Sequence, residues 1–260
     1  MKNLLFAIFL FLAATSHALA HDTWVQVPSL VTRQKDVVHI DLMVGNHGNE
    51  HRDFKLASKI TLAPCTLELV APNGQRIDLK EKVTDMGSAE KEGFWSARHV
   101  VDQSGVYQVL HTLDTLHGKT RAIKSSKTFF IASKDLGSIP TTGAERIHPL
   151  NSGLEFVLED PIETLAALRE IHVQLLWNGK PLPNTLVAFV PRGAKLSESP
   201  DPQFEKLTDA QGRVAFKPTE GNLLLIVAHH TANDESGEGF DKTSYGATMV
   251  LPVPQIPFKE

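Results

Sequence analysis

Apolar and polar residues alternate at a period of two through most of this sequence, and this pattern constrains the fold more than any other feature. Successive side chains of a β-strand point to opposite faces, so alternate residues share one face. In residues 38–44, for example, valine, isoleucine or leucine stands at every second position. Long stretches with helical periodicity are scarce. The sequence therefore predicts an all-β protein.

Turn signals divide the first half into short strands. We predict one hairpin across Ala71-Pro72-Asn73-Gly74 and a second across Asp102-Gln103-Ser104-Gly105. A strand ending at Val44 precedes a Gly-containing loop, and a strand at residues 128–132 closes this half. Short strands joined by polar turns at this spacing are typical of a β-sandwich.

The second half carries the clearest motif, "GKPLPNTLVAFV … TDAQGRVAF … GNLLLIVA", at residues 179–190, 208–216 and 221–228. It resembles the small carboxypeptidase-regulatory or transthyretin-like sandwich. Proline stiffens the turn before its second strand. Gly212 is expected to adopt a positive φ in a hairpin at residues 209–212. This motif predicts a fold and says little about activity.

These patterns predict two Ig-like or transthyretin-like β-sandwich domains after a signal peptide. The boundaries that we predict are 1–20 for the signal peptide, 21–135 for the N-terminal domain, 136–162 for a linker and 163–256 for the C-terminal domain. The linker is placed where the alternation dissolves into Gly, Pro, Ser and Thr.

The first twenty residues predict export to the periplasm. Lys2 supplies a positive charge, residues 4–14 are almost wholly apolar, and Ala18-Leu19-Ala20 is a small-x-small cleavage site. The apolar run is too short to span a bilayer. Cleavage after Ala20 would leave a chain that begins with His21 and has no transmembrane segment.

Charge and motifs exclude several function classes. The formal net charge is −4, so a basic surface for nucleic acid is not expected. The single cysteine, Cys65, cannot form an internal disulfide, and its apolar surroundings predict a buried thiol. The sequence has no G-x-S-x-G elbow, P-loop, C-x-x-C pair or H-E-x-x-H motif. An enzyme is therefore not expected.

Histidine is enriched, with 12 residues in the chain. His21 is the most unusual of them, because cleavage would free an α-amine that can chelate a metal ion together with its own imidazole. That amine is less basic than a lysine, so its deprotonation on binding costs less. Nitrogen donors of this kind suit Cu, Ni and Zn.

Four other histidines are candidate ligands. His47 and His51 lie four residues apart in the predicted loop after Val44, where a loop can fold back to chelate. His111, with His117, lies near a predicted strand end. His229 and its neighbour His230 end an apolar strand, and only one of this adjacent pair can face a given site. The acidic loop at residues 233–241 is expected to be a solvated hairpin tip.

The whole predicted mature chain resembles a periplasmic domain-of-unknown-function family once labelled "nickel uptake substrate-specific". The resemblance rests on the "AHDxW" opening at residues 20–24, the connector "GLEFVLEDP" at 153–161, the sandwich motifs above, and a strand that ends in Ala228-His229. It implies export and a link with transition-metal uptake, including a metal-uptake transporter as a partner. It supplies no agreed ligands.

Three hypotheses follow. The first is a periplasmic metal-binding accessory protein that holds Ni, Co, Cu or Zn through His21 and one or more of the other candidates. The second is a non-catalytic Ig-like module for carbohydrate or protein, in which Trp24, Trp95 and Trp177 would be exposed anchors. The third is a copper oxidase with a histidine brace, which requires a second histidine that faces the N-terminal amine.

Overall fold

The computed structural model of the chain describes residues 21–47, 52–136, 138–144, 150, 152–197 and 200–258, and for residues 46, 47 and 52–54 it describes the backbone alone. The described residues form strands and two single-turn 3-10 helices, at Lys80–Lys82 and Ile162–Thr164. The all-β prediction is confirmed. Across these residues, no helix has the length and apolar character needed to cross a bilayer.

The strands of the described residues are β1 (Asp22–Gln26), β2 (Val31–Arg33), β3 (Val37–His47), β4 (Arg52–Ser58), β5 (Cys65–Val70), β6 (Arg76–Asp78), β7 (Val83–Asp85), β8 (Trp95–Val100), β9 (Gly105–His117), β10 (Thr120–Ser133), β11 (Leu154–Leu158), β12 (Ile171–Trp177), β13 (Lys180–Pro181), β14 (Leu186–Pro191), β15 (Glu205–Leu207), β16 (Arg213–Phe216), β17 (Asn222–Ala232) and β18 (Lys242–Val253).

These strands build three sheets. A nine-stranded sheet has the order β15-β14-β17-β18-β10-β9-β5-β6, with β2 also paired to β10. A five-stranded sheet runs β1-β3-β8-β7 with β4 on β3, and a four-stranded sheet combines β11, β12, β13 and β16. One apolar core lies between the five-stranded sheet and strands β5, β9 and β10 of the nine-stranded sheet. A second apolar core lies between the four-stranded sheet and the part of the nine-stranded sheet that contains β14, β17 and β18. The protein is therefore a β-sandwich built on one shared layer.

The two halves of the chain share this layer through a parallel ladder. Strands β10 and β18 pair from Thr120↔Lys242 to Thr128↔Val250, so the nine-stranded sheet is continuous from one half to the other. The predicted domain boundaries stay a prediction. Because the halves exchange main-chain hydrogen bonds along nine register pairs, we expect them to unfold cooperatively.

The hairpin predicted at residues 71–74 is confirmed, since β5 and β6 pair antiparallel across it. The hairpin predicted at residues 102–105 is wrong. Strand β8 pairs with β3 and β7, whereas β9 pairs with β10 and β5, so the turn joins two sheets. Tyr107 holds this corner, because its hydroxyl accepts the Gln103 N–H at 3.0 Å and lies 3.3 Å from Oδ1 of Asp102. This is the tyrosine corner of Ig-like sandwiches.

The turn predicted at residues 209–212 forms, and Gly212 has a φ of 71°. The strands that flank it are not a hairpin, because β15 pairs with β14 and β16 pairs with β12 in another sheet. The hairpin around the acidic loop is confirmed by the antiparallel pairing of β17 and β18.

Strand β3 does not end at Val44 as predicted but continues to His47, through irregular register around Gly45. A Cβ at Gly45 would lie 2.3 Å from the Lys55 carbonyl oxygen and 2.3 Å from the Trp24 ring. The glycine is therefore required by close packing within the strand, and it does not mark a loop.

Candidate functional site

Strand β1 begins one residue after the predicted cleavage point, and all five of its residues are buried. One edge pairs with β3, from Asp22↔Gly45 to Gln26↔Asp41. Side chains of the nine-stranded sheet hold the other edge. The Val25 N–H donates to Oγ of Ser126 at 2.9 Å, and Oγ1 of Thr248 donates to the Thr23 carbonyl at 2.8 Å. Both edges of the strand are therefore fixed in position.

The Asp22 carboxylate is the centre of the candidate site. Its side chain is 1% exposed, and its two oxygens lie 2.9 and 3.1 Å from Nε2 of His229. The ammonium of Lys124, itself 4% exposed, lies 3.5 Å from Oδ1. Buried carboxylates require such partners, because an unpaired buried charge is costly.

Sheet register explains how these residues meet. Gly246 on β18 pairs with His229 on β17 and with Lys124 on β10, so the three lie in one cross-strand row. Residues directly opposite each other in a sheet project from the same face. A Cβ at Gly246 would lie 2.7 Å from the Lys124 ammonium and 3.3 Å from Oδ1 of Asp22. The glycine leaves the space in which the charged groups converge.

The predicted ligands His21 and His229 are both exposed to solvent. His21 is exposed and is joined directly to the buried Asp22. The His229 side chain is 40% exposed, with Nε2 directed to Asp22. Histidines that bind metals commonly donate their other ring N–H to a carboxylate, which orients the ring. The Asp22–His229 contact has this form, with Nε2 as the ring nitrogen that faces the carboxylate.

His111 has a different place from the one predicted. It lies within β9, which continues to His117, and it is 1% exposed. Its Nδ1 lies 2.8 Å from the Thr66 carbonyl oxygen, so Nδ1 carries the proton, and Nε2 accepts from Oγ1 of Thr23 at 3.0 Å. Burial lowers its pKa to about 4. His111 is thus a neutral anchor beneath β1.

The remaining histidines divide as follows. His47 is the last residue of β3, with only its backbone described, and His51 lies outside the described residues. His230 points away from His229, with its ring 4.4 Å from that of Trp177. The prediction that this adjacent pair serves different faces is confirmed. Within the described part of the chain, no three His, Cys, Asp or Glu side chains form a ready metal site.

Sequence reasoning missed Asp22 and Lys124. Asp22 lies within the opening motif, where only the neighbouring His21 was predicted to be a site residue. Lys124 lies in an alternating stretch where a lysine ordinarily faces solvent, but in the folded chain it is buried beside Asp22 of β1. The predicted buried thiol is confirmed: Cys65 is 4% exposed, and burial raises its pKa to about 11.

The three tryptophans are not surface anchors. Trp24 is 2% exposed, and its Nε1 donates to Oε1 of Gln26 at 3.2 Å. Trp95 and Trp177 are half-buried and pack against the two main apolar cores. None of the three is therefore a fully exposed side chain.

The fold and the site define an all-β sandwich protein in which buried polar side chains hold the first strand after a predicted leader. The chain belongs to the family described as a domain of unknown function, DUF4198, whose model matches residues 18–232. The family prediction is confirmed at that level. A search of curated proteins finds no match.

Solved structures with similar folds are remote. A DUF4785 family protein from Legionella pneumophila is 13% identical, with 78% of this chain and 52% of that one covered and a TM-score of 0.30. An alpha-2-macroglobulin from Salmonella is 14% identical, with coverage of 89% and 14% and a TM-score of 0.27. Murine CEACAM1b is 10% identical, with coverage of 88% and 96% and a TM-score of 0.22. This chain thus spans about half of the Legionella protein and about a seventh of the Salmonella protein. At such TM-scores these similarities carry no argument about function.

Proposed function

We propose that this protein is an exported, periplasmic, non-catalytic accessory protein that binds a transition metal ion at its processed N-terminus. The ligands are the α-amine and ring of His21 and Nδ1 of His229. The observation that carries the proposal is the contact between Nε2 of His229 and the buried Asp22 carboxylate, at 2.9 and 3.1 Å. This contact fixes the orientation of the His229 imidazole through Asp22, the residue next to His21, and processing would give His21 a free amine with which to chelate.

The donor set indicates the class of metal. Two imidazoles and an amine are three nitrogen donors, which suit Cu, Ni, Co and Zn rather than Mg or Ca. Cleavage after Ala20 matters because this nitrogen belongs to an amide in the precursor, which must lose its N–H proton before it can coordinate, whereas the free amine offers a lone pair directly. The family that the sequence resembles was once labelled for nickel uptake, which agrees with three nitrogen donors and suggests a metal-uptake transporter as the partner.

The position of β3 supports a contribution from the predicted His47/His51 loop. Strand β1 pairs with β3 through Asp22↔Gly45. Antiparallel register, extended by one step, places Asn46 beside His21. The end of β3 at His47 is therefore the part of that strand nearest to the predicted N-terminus, and the predicted ligand His51, which lies outside the described residues, follows it in the sequence.

Isothermal titration with Ni²⁺ and Cu²⁺ tests the proposal on protein that begins with His21. We expect a Kd tighter than about 10 μM for one of these ions, weakened at least about tenfold by His21→Ala, by His229→Ala or by one extra N-terminal residue. Asp22→Asn should weaken binding by about 10- to 100-fold, since it removes the carboxylate that orients His229.

The matched control is His117→Ala, which removes an exposed imidazole outside this site. It should leave the affinity unchanged. Affinity that does not respond to the extra N-terminal residue, or that His117→Ala lowers as much as His229→Ala does, would contradict the proposed ligand set.

The copper oxidase hypothesis shares these three nitrogens, so the Asp22–His229 contact favours it as the second candidate. It differs in requiring redox turnover. Oxidase activity after copper loading, absent from the His21→Ala variant, would replace the accessory role with this one. The Ig-like binding module has less support, because none of the three tryptophans is exposed.

A further inference from the structure

A cleft of 540 Å³ opens at one end of the second apolar core. It lies where the edge strand β15 of the nine-stranded sheet meets strand β16 of the four-stranded sheet. Its apolar lining includes Phe204, Phe216, Leu224 and Val253, of which the last three are also part of the buried core. These three core side chains are 1–6% exposed, so the cleft ends at the edge of the core, and its floor is aromatic and aliphatic.

The rim of this cleft is cationic. Lys206, on β15, and Lys217, directly after β16, both line it and are exposed, as is Arg192 after β14. Glu220 is the one carboxylate among the lining residues. The chain as a whole has a net charge of −4, so this rim departs in sign from the rest of the protein.

Lys206 and Arg192 have different contacts at the rim. The Lys206 ammonium donates to the Ala215 carbonyl at 2.9 Å and lies 5.9 Å from the centre of the Phe216 ring. That contact holds the ammonium above the apolar lining, and an ammonium has three N–H donors, so it can also serve a ligand. The Arg192 guanidinium donates to Gln26 at 3.0 Å, which ties the far wall to β1.

We propose that this cleft binds an organic anion with an apolar body, of the class of medium-chain fatty carboxylates. The apolar chain would lie in the cleft against the half-buried Phe204 and the edge of Phe216, and the carboxylate would remain at the rim with Lys206 and Lys217. Sites for small ligands typically have a volume of about 300–1,000 Å³, an apolar lining and a few placed polar groups. The cleft meets each of these criteria, and its charge selects an anion.

This inference is independent of the proposed metal site. No histidine lines the cleft, and neither Asp22 nor Lys124 is among its residues. Binding of the anion should therefore persist in EDTA and in the His21→Ala variant. Failure of either proposal would leave the other unaffected.

Isothermal titration of the whole processed chain with octanoate, and with octanol as its uncharged counterpart, tests the proposal. We expect octanoate to bind with a Kd below about 1 mM and octanol to bind at least about fivefold more weakly. Lys217→Glu and Lys206→Gln should each weaken octanoate binding about fivefold or more, with little effect on octanol.

The control is Lys119→Glu, which makes the same charge change at an exposed lysine outside the cleft. It should leave octanoate binding unchanged, and thermal unfolding of each variant verifies that it is folded. The proposal is overturned if octanoate does not bind, if octanol binds equally well, or if Lys119→Glu weakens binding as much as Lys217→Glu does.

Discussion

Replacement of Glu155 by glutamine is expected to destabilise the protein by about 3–5 kcal/mol, because it leaves the buried Lys127 ammonium without its counter-charge. The two side chains are 0% and 4% exposed and form an ion pair between β11 and β10. The carboxylate also accepts the Leu150 N–H at 2.9 Å. Burial lowers the pKa of Lys127, against the opposing effect of Glu155, so loss of the carboxylate makes the charged form still less favourable.

Urea unfolding at neutral pH measures this effect, with two variants for comparison. Glu68→Gln breaks the exposed ion pair with Arg76 and should change the free energy of unfolding by less than about 1 kcal/mol. The double variant Lys127→Met/Glu155→Leu removes both charges and should recover most of the stability. A Glu155→Gln protein as stable as Glu68→Gln would show that Lys127 does not depend on its buried partner.

The buried His111 is expected to make the protein lose about 3 kcal/mol of stability as the pH falls from about 6.5 to about 4. Burial lowers its pKa from 6.5 to about 4 in the folded state. Below pH 6.5 the unfolded chain therefore takes up a proton that the folded chain refuses, which favours unfolding. The contribution is fully present above pH 6.5 and is lost as the pH approaches 4.

The measurement is the free energy of unfolding against pH for the wild type and for His111→Asn. Other groups titrate in the same range, so the difference between the two proteins isolates His111. The variant should be less stable at pH 7, since it disturbs hydrogen bonds to Thr66 and Thr23, and should have a shallower pH dependence. His117→Asn, at an exposed position of the same strand, should follow the wild-type curve. Parallel curves for wild type and His111→Asn would contradict the assignment.

Local patterns predicted most strands well, and they failed where pairing partners had to be chosen. Alternation placed strands on both sides of residues 102–105, but it does not determine whether a turn reverses the chain within a sheet or carries it to another. At this turn the Tyr107 hydroxyl bonds locally to Gln103, while its ring packs in a core built from strands distant in sequence. Gly45 misled for a related reason, since the close approach of Trp24 that requires it is a tertiary contact.

Only some residues of the candidate site carry a local signal in the sequence. The cleavage signal indicates His21, and the His229–His230 pair at the end of an apolar strand indicates His229. Both signals are local in the sequence. Local sequence does not reveal the roles of Asp22 and Lys124, and His111, predicted near a strand end, is buried within β9 and supports β1. These three residues acquire their roles from pairing over 80 residues or more along the chain.

The sequence by itself determined the all-β class, the turn at Gly212 and the family, because each is written in residues close together along the chain. Tertiary structure alone decided that the two halves share one sheet and that Asp22, His229 and Lys124 converge. The physical reason is that strand order and register arise from long-range pairing, and burial of an apolar face does not specify which distant strand will cover it.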